Sequence, residues 1–220
     1  MSVDVAIRKE LRADDRSFRL DVAFRSEHRR IVLFGPSGAG KSLTLRAMAG
    51  LLSPDEGHVR VDGRALFDRD AGVDLRASER GVAYVFQDYA LFPHLTVAQN
   101  IGFGLHRGWL NPRRGIHDAR VRHWIDAFEL AGVAGSYASR ISGGQRQRVA
   151  LARALVAEPR LVLLDEPFAA LDPALRGRMR AELLALQARL DLQLLVITHD
   201  PADVDVLDGH TIELRDGRVA

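Results

Sequence analysis

Short unbroken apolar runs alternate along this chain with stretches of helical period, and that alternation predicts an α/β fold. Ile31-Val32-Leu33-Phe34, Leu161-Val162-Leu163-Leu164 and Leu192–Ile197 are runs of the kind that form strands covered on both faces. The first is followed by a helical pattern over about residues 41–52. The second is followed by a long one that Leu171-Asp172-Pro173 opens, with Asp172 as cap and Pro173 in the first turn, and that runs to about Leu190. The start of the chain has a different texture. Residues 3–11 and 16–24 read as two strands joined by the polar turn Ala13-Asp14-Asp15, and Arg16 to Phe24 alternates polar and apolar positions as a half-buried antiparallel strand does. Short strands at about 57–61 and 82–86 frame the Arg64–Arg80 connection, and residues 209–219 form a closing hairpin with Asp216-Gly217 at its turn.

From about residue 88 to 140 no strand pattern occurs. Helical patterns at about 96–102 and 118–130 are separated by a Gly/Pro/Arg-rich stretch, His106 to Gly115. These predict a small helical lobe inserted into the α/β core. Tyr89, Leu91, Phe92, Leu95 and Trp109 either leave an exposed patch for a partner or form the lobe's own core. A further helix opens at Ser142-Gly143-Gly144-Gln145 and continues through Arg153. Two glycines are a poor way to begin a helix unless something must approach the backbone closely, and Ser142 stands at the N-cap position. Alone, such a start would be an ordinary capped surface helix; beside the loop described next, its positive end reads as an anion seat.

Gly35-Pro36-Ser37-Gly38-Ala39-Gly40-Lys41-Ser42 follows the first buried run directly and matches G-x-x-x-x-G-K-[ST] at every fixed position. Its glycines let backbone amides curl around phosphate oxygens, the lysine reaches the β and γ phosphates, and the Ser42 hydroxyl is placed on Mg²⁺. The chain therefore binds a nucleoside triphosphate. Asp165 and Glu166 end the second buried run. Adjacent carboxylates there cost desolvation without serving the fold, so Asp165 is assigned to Mg²⁺ and Glu166 to the attacking water. His199 ends the third run, and the carboxyl ends of parallel strands converge on one crevice, which makes it a sensor of the γ-phosphate. Gln87, just past the strand at 82–86, is either a solvated loop residue or part of the same site.

Composition narrows the class without changing it. The 220 residues are 47% hydrophobic and 27% charged, as in an ordinary globular protein, with room for one large domain or two small lobes. A formal charge of +2 gives little reason to expect nucleic acid, and the pI of 9.4 reflects arginine. No apolar run approaches the ~18 residues of a membrane span, and the charged start is unlike a signal peptide. The absence of cysteine excludes disulfides and thiolate metal sites. Of 31 basic residues the only lysines are Lys9 and Lys41, so Lys41 marks a place where a compact ammonium is needed.

In order and spacing, Gly35–Ser42, Gln87, Ile141–Gln145, Leu161–Glu166, Ala170–Asp172 and His199 resemble the nucleotide-binding subunit of ATP-binding cassette (ABC) transporters. The resemblance covers essentially the whole chain. It implies a P-loop NTPase core with a mostly parallel central sheet, an antiparallel N-terminal β subdomain and an inserted α-helical subdomain. Residues 1–87 and 155–220 would form the core and about 88–154 the helical part, all in a single ATPase domain. Gly35–Ser42 would be the Walker A loop and Leu161–Asp165 the Walker B strand. Glu166 would be the catalytic base, His199 the switch histidine and Ala169–Asp172 the D-loop. Gln87 would touch Mg²⁺ and signal to the membrane subunit. Ser142, Gly143, Gly144 and Gln145, from the signature, would close on ATP bound by a second copy in a head-to-tail dimer. The further implied partners are an integral membrane permease and, indirectly, a solute-binding protein, at the cytoplasmic face of the membrane.

Tyr84 to His94 and Arg64 to Leu75 look most like molybdate importer ATPases, and His94 to Gly102 is also similar to thiamine and related importers. Sulfate and iron importers stay open as alternatives, as does a soluble cassette ATPase acting on nucleic acid or ribosomes. The chain stops after its last strand, so no C-terminal regulatory domain is expected. It departs from the family pattern at Leu43, Ile141 and Ala169. It also has no aromatic near Leu11–Ala13, where one usually stacks on adenine.

Overall fold

The computed structural model describes residues 2–13, 16–105, 111–112, 117–169, 171 and 173–220. The turn residues Asp14 and Asp15, most of the stretch 106–115 with Trp109, and Ala170 and Asp172 of the expected D-loop and helix cap lie outside the described residues. The chain divides into two compact units. The first comprises Met1–Tyr84, Arg160–Glu166 and Arg180–Ala220; the second comprises Val85–Pro159 and Pro167–Met179.

The first unit opens with β1 (Val3–Ala13) and β2 (Arg16–Ser26), an antiparallel pair in which Leu11 faces Phe18. Both strands run two residues beyond their sequence-based limits, β1 because Arg12 and Ala13 pair with Ser17 and Arg16, and β2 because Arg25 and Ser26 pair with Asp4 and Val3. Then come β3 (Arg30–Phe34), α1 (Lys41–Ala49), β4 (Glu56–Val61), β5 (Arg64–Asp68), β6 (Val73–Asp74) and β7 (Val82–Val85). After the helices of the second unit, α2 (Val97–Phe103), α3 (Ala119–Ala127) and α4 (Gly143–Leu155), the chain returns as β8 (Leu161–Asp165). It ends with α5 (Pro173–Leu190), β9 (Leu194–Thr198), α6 (Pro201–Leu207), β10 (His210–Arg215) and β11 (Arg218–Val219).

One eleven-stranded sheet runs β6-β5-β4-β1-β2-β11-β10-β3-β9-β8-β7. From β10 through β3 and β9 to β8 all neighbours are parallel, whereas β6 to β2 are antiparallel. The two parts are joined by β11, antiparallel to β10 at Leu214–Val219 and parallel to β2 at Arg218–Asp21. The β4–β5 hairpin falls in what the sequence pattern treated as a mere connection. Its turn is Asp62-Gly63, both at positive φ, the two-residue geometry that suits the twist of paired strands.

Leu20, Ile31, Leu33, Leu45, Met48, Leu163, Leu195 and Leu214 are fully buried between the sheet and α1 or along the sheet. Arg80 is also buried; its guanidinium donates to the Ala47 and Met48 carbonyls at 2.7 and 3.0 Å and ends α1 with a positive charge where the helix dipole is negative. In the second unit α2 and α4 pack closely: a Cβ on Gly104 would lie 2.4 Å from the Arg153 carbonyl oxygen. Tyr89 and Leu95 are buried and Leu91 and Phe92 half-buried, so these residues serve the lobe's own core rather than an open patch. Among the described residues no helix is long and apolar enough to cross a membrane.

Candidate nucleotide site

The first unit brings together Gly35–Ser42, Asp165, Glu166 and His199. β3 ends at Phe34 and the chain turns through Pro36, Ser37 and Gly38, all exposed, before α1 begins. At Gly35 a Cβ would stand 2.2 Å from the Leu214 carbonyl oxygen, so the loop leaves the sheet through a gap that admits no side chain. Gly40, at φ 98°, is the N-cap of α1 and offers no side-chain cap. No side chain thus competes for the positive end of this helix.

Lys41 is 4% exposed, and its Nζ donates to the Gly35 and Pro36 carbonyls at 2.7 and 2.9 Å. Those bonds close the loop around its own lysine. Burial pushes the Lys41 pKa down, and the carboxylates of Glu166 and Asp165 oppose that shift. Ser42 Oγ donates to Asp165 Oδ1 at 3.0 Å, and the Tyr84 hydroxyl donates to Asp165 Oδ2. Burial, reinforced by that hydrogen bond, drives the Tyr84 pKa well above its ordinary value. Glu166 has φ 45°, a left-handed backbone that a non-glycine residue adopts at a cost of about 1–3 kcal/mol. Its amide donates to the Ile197 carbonyl at 3.1 Å, which holds the ends of β8 and β9 together. Its Oε1 lies 3.9 Å from Lys41 Nζ and 3.1 Å from His199 Nδ1. The histidine ring is half-exposed.

Gln87 and Ser142–Gln145 belong to the second unit. Gln87 is exposed, and the turn after it carries Tyr89 and Ala90 at positive φ, with both carbonyls accepting from Arg153. Ser142 caps α4: its Oγ accepts from the Gln145 amide and the Gln145 side chain accepts from the Ser142 amide, a reciprocal box. Gly143 and Gly144 have no positive φ, and a Cβ on either would find its nearest atoms at 3.5–4.0 Å, ordinary contact. Nothing within the described chain requires glycine there.

Sequence reasoning did not single out Tyr84. Its only signal was a polar-tipped aromatic within a strand next to the acid-ended one, and that signal needs the sheet order to be read.

A glycine loop closed by its own buried lysine, set between a parallel strand and a helix, with an acid pair ending a nearby strand, defines a P-loop NTPase. The model for the ABC transporter family matches residues 20–169. The molybdate/tungstate import ATP-binding protein WtpC of Archaeoglobus fulgidus is 42% identical over 212 residues, 96% of this chain and 84% of that protein. The sulfate/thiosulfate import ATP-binding protein CysA of Gloeobacter violaceus is 47% identical over 189 residues, but this chain spans only 53% of its length. Among solved structures, the ATP-binding cassette MJ0796, dimeric and bound to ADP and Pi in a post-hydrolysis state, aligns at TM-score 0.78 and 29% identity, covering 100% of this chain and 96% of that one. The chain belongs to the ABC transporter family.

Proposed function

We propose that this chain binds and hydrolyses ATP for an ABC importer of a small tetrahedral oxyanion, with molybdate as the leading solute and sulfate as the alternative. The solute class follows from the two import relatives, whose names join molybdate or tungstate with sulfate or thiosulfate. The observation that carries hydrolysis is the placement of one carboxylate oxygen of Glu166 between Lys41 Nζ and His199 Nδ1. In this reading the Gly35–Ser42 loop and the start of α1 hold the phosphates, and Lys41 neutralises the β and γ oxygens. Glu166 takes the proton of the attacking water and His199 contacts the γ-phosphate. Ser42 and Asp165, oxygen donors 3.0 Å apart at the base of the loop, suit Mg²⁺, with Gln87 as a further ligand. When bound, Mg²⁺ neutralises charge on the β and γ phosphates.

The start of α4 supports the second half of the proposal: Ser142 is exposed, Gly143 half-buried and Gly144 buried, and the chain's own packing needs neither glycine. A first turn without side chains lets a ligand from outside approach its backbone amides. We assign that ligand to ATP held by a second copy arranged head to tail, so that Ser142, Gly143, Gly144 and Gln145 complete the partner's site. ATP closes the dimer and hydrolysis reopens it. The chain would sit at the cytoplasmic face of a membrane against a permease that receives solute from a binding protein. Glu166→Gln tests this directly. It is expected to retain ATP binding, lose turnover, and run as a dimer in size-exclusion chromatography with ATP and Mg²⁺. A variant that runs only as a monomer under those conditions, with ATP bound, contradicts the sandwich.

A further inference from the structure

His199 is half-exposed, and its ring has Glu166 as its recorded partner at 3.1 Å. The aim of such a ring depends on the backbone that carries it. Both flanking residues are locked into a charged network. Thr198 ends β9, is buried, and donates its hydroxyl to the Asp203 carboxylate while accepting from the Asp200 amide at 3.0 Å. Asp200 caps α6, accepting from the Ala202 amide at 3.0 Å. Arg180, near the middle of α5, spans both acids: its Nε donates to Asp203 Oδ1 at 2.6 Å and its Nη2 to Asp200 Oδ2 at 2.9 Å. The Arg180 side chain is 12% exposed and that of Asp203 5%.

A guanidinium buried with carboxylates stabilises a fold little. Well-packed apolar side chains in its place are often as stable or more so, because desolvation consumes the Coulombic gain. What the planar fork supplies is geometry: two donors in one rigid plane fix two acceptors at once. Here the acceptors belong to the residue directly after His199 and to the one that anchors Thr198. We infer that Arg180 is a positioning residue for His199, clamping the 198–203 turn from α5 so that the imidazole meets Glu166. The inference rests on the hydrolytic reading of this site, and it adds to the machinery a residue outside the sequence motifs that define it.

Arg180→Lys keeps the charge and loses the fork. In the full-length protein it is expected to leave ATP affinity within about twofold and to lower hydrolysis about tenfold, the scale of a displaced catalytic group. In a His199→Ala background the same substitution should add less than about twofold, since residues acting as one unit are non-additive. The His199 ring signals, assigned in NMR spectra by their loss in His199→Ala, should move in Arg180→Lys. If Arg180→Lys does not fold, Asp200→Asn, at the more exposed end of the network, carries the same test. Equal losses with and without His199, or unmoved His199 signals, overturn the inference. Displaced His199 signals in a protein whose wild type hydrolyses no ATP would refute the proposed function and leave the positioning role standing.

Discussion

Replacing Gly143 and Gly144 together by alanine separates what α4 needs for itself from what a ligand needs of it. Both glycines lie in the first turn, directly after the Ser142 cap. Their added Cβ atoms would meet Arg146 and Leu171 at 3.9 and 4.0 Å, and Leu175 and Met179 at 3.5 and 3.9 Å. None of these distances forces a shift, so no steric cost offsets the gain in helix propensity. Glycine is about 1 kcal/mol worse than alanine in a helix interior and less so at its first positions, which puts the double substitution at about 1 kcal/mol stabilising. For a chain of this size that raises Tm by about 2–4 °C. The same methyl groups cover the amides that the proposed sandwich requires. In a Glu166→Gln background the double variant should therefore melt higher yet fail to dimerise with ATP in size-exclusion chromatography. A lower Tm would mean that the fold itself needs these glycines. An intact ATP-dependent dimer would mean that nothing approaches the backbone there, and either result refutes the reasoning.

Lys41→Arg should lose nucleotide affinity about as badly as Lys41→Ala, on the order of 100-fold, because a slot that leaves the lysine 4% exposed has no room for a guanidinium. Titration with a fluorescent ATP analogue checks this, and near-normal binding by the arginine variant would show that any cation suffices. Tyr84→Phe removes a donor to the Asp165 carboxylate and should destabilise the protein at neutral pH by about 1.5–3 kcal/mol, read from urea unfolding. It should also change the alkaline limb. Burial and the bond to Asp165 raise the folded-state pKa of Tyr84, so its stabilisation is complete below the unfolded value of about 10 and falls as pH rises beyond it. Above about pH 10 the wild type should lose stability more steeply than Tyr84→Phe, and parallel slopes would disprove the link.

Much of this protein is written locally. The phosphate loop, the capped start of α4 and the buried runs of β3, β8 and β9 follow from neighbours along the chain, since turn geometry, capping and strand period are set within a few residues. The Asp62-Gly63 turn is a local signal of the same kind, but the sequence pattern reads the strand after it, β5, as part of a connection. Tertiary structure decided where those pieces acquire partners. β11 joins the antiparallel and parallel parts of the sheet with Val219 on one side and Arg218 on the other. Tyr84 finds Asp165 across 81 residues, Arg80 ends α1 from 33 residues away, and Arg180 reaches the turn around His199 from 20 residues away. Each of these side chains sits in a segment whose pattern does not single it out. A buried donor or charge takes whichever acceptor the packed sheet and helices bring within about 3 Å, and that choice exists only once the chain has closed on itself.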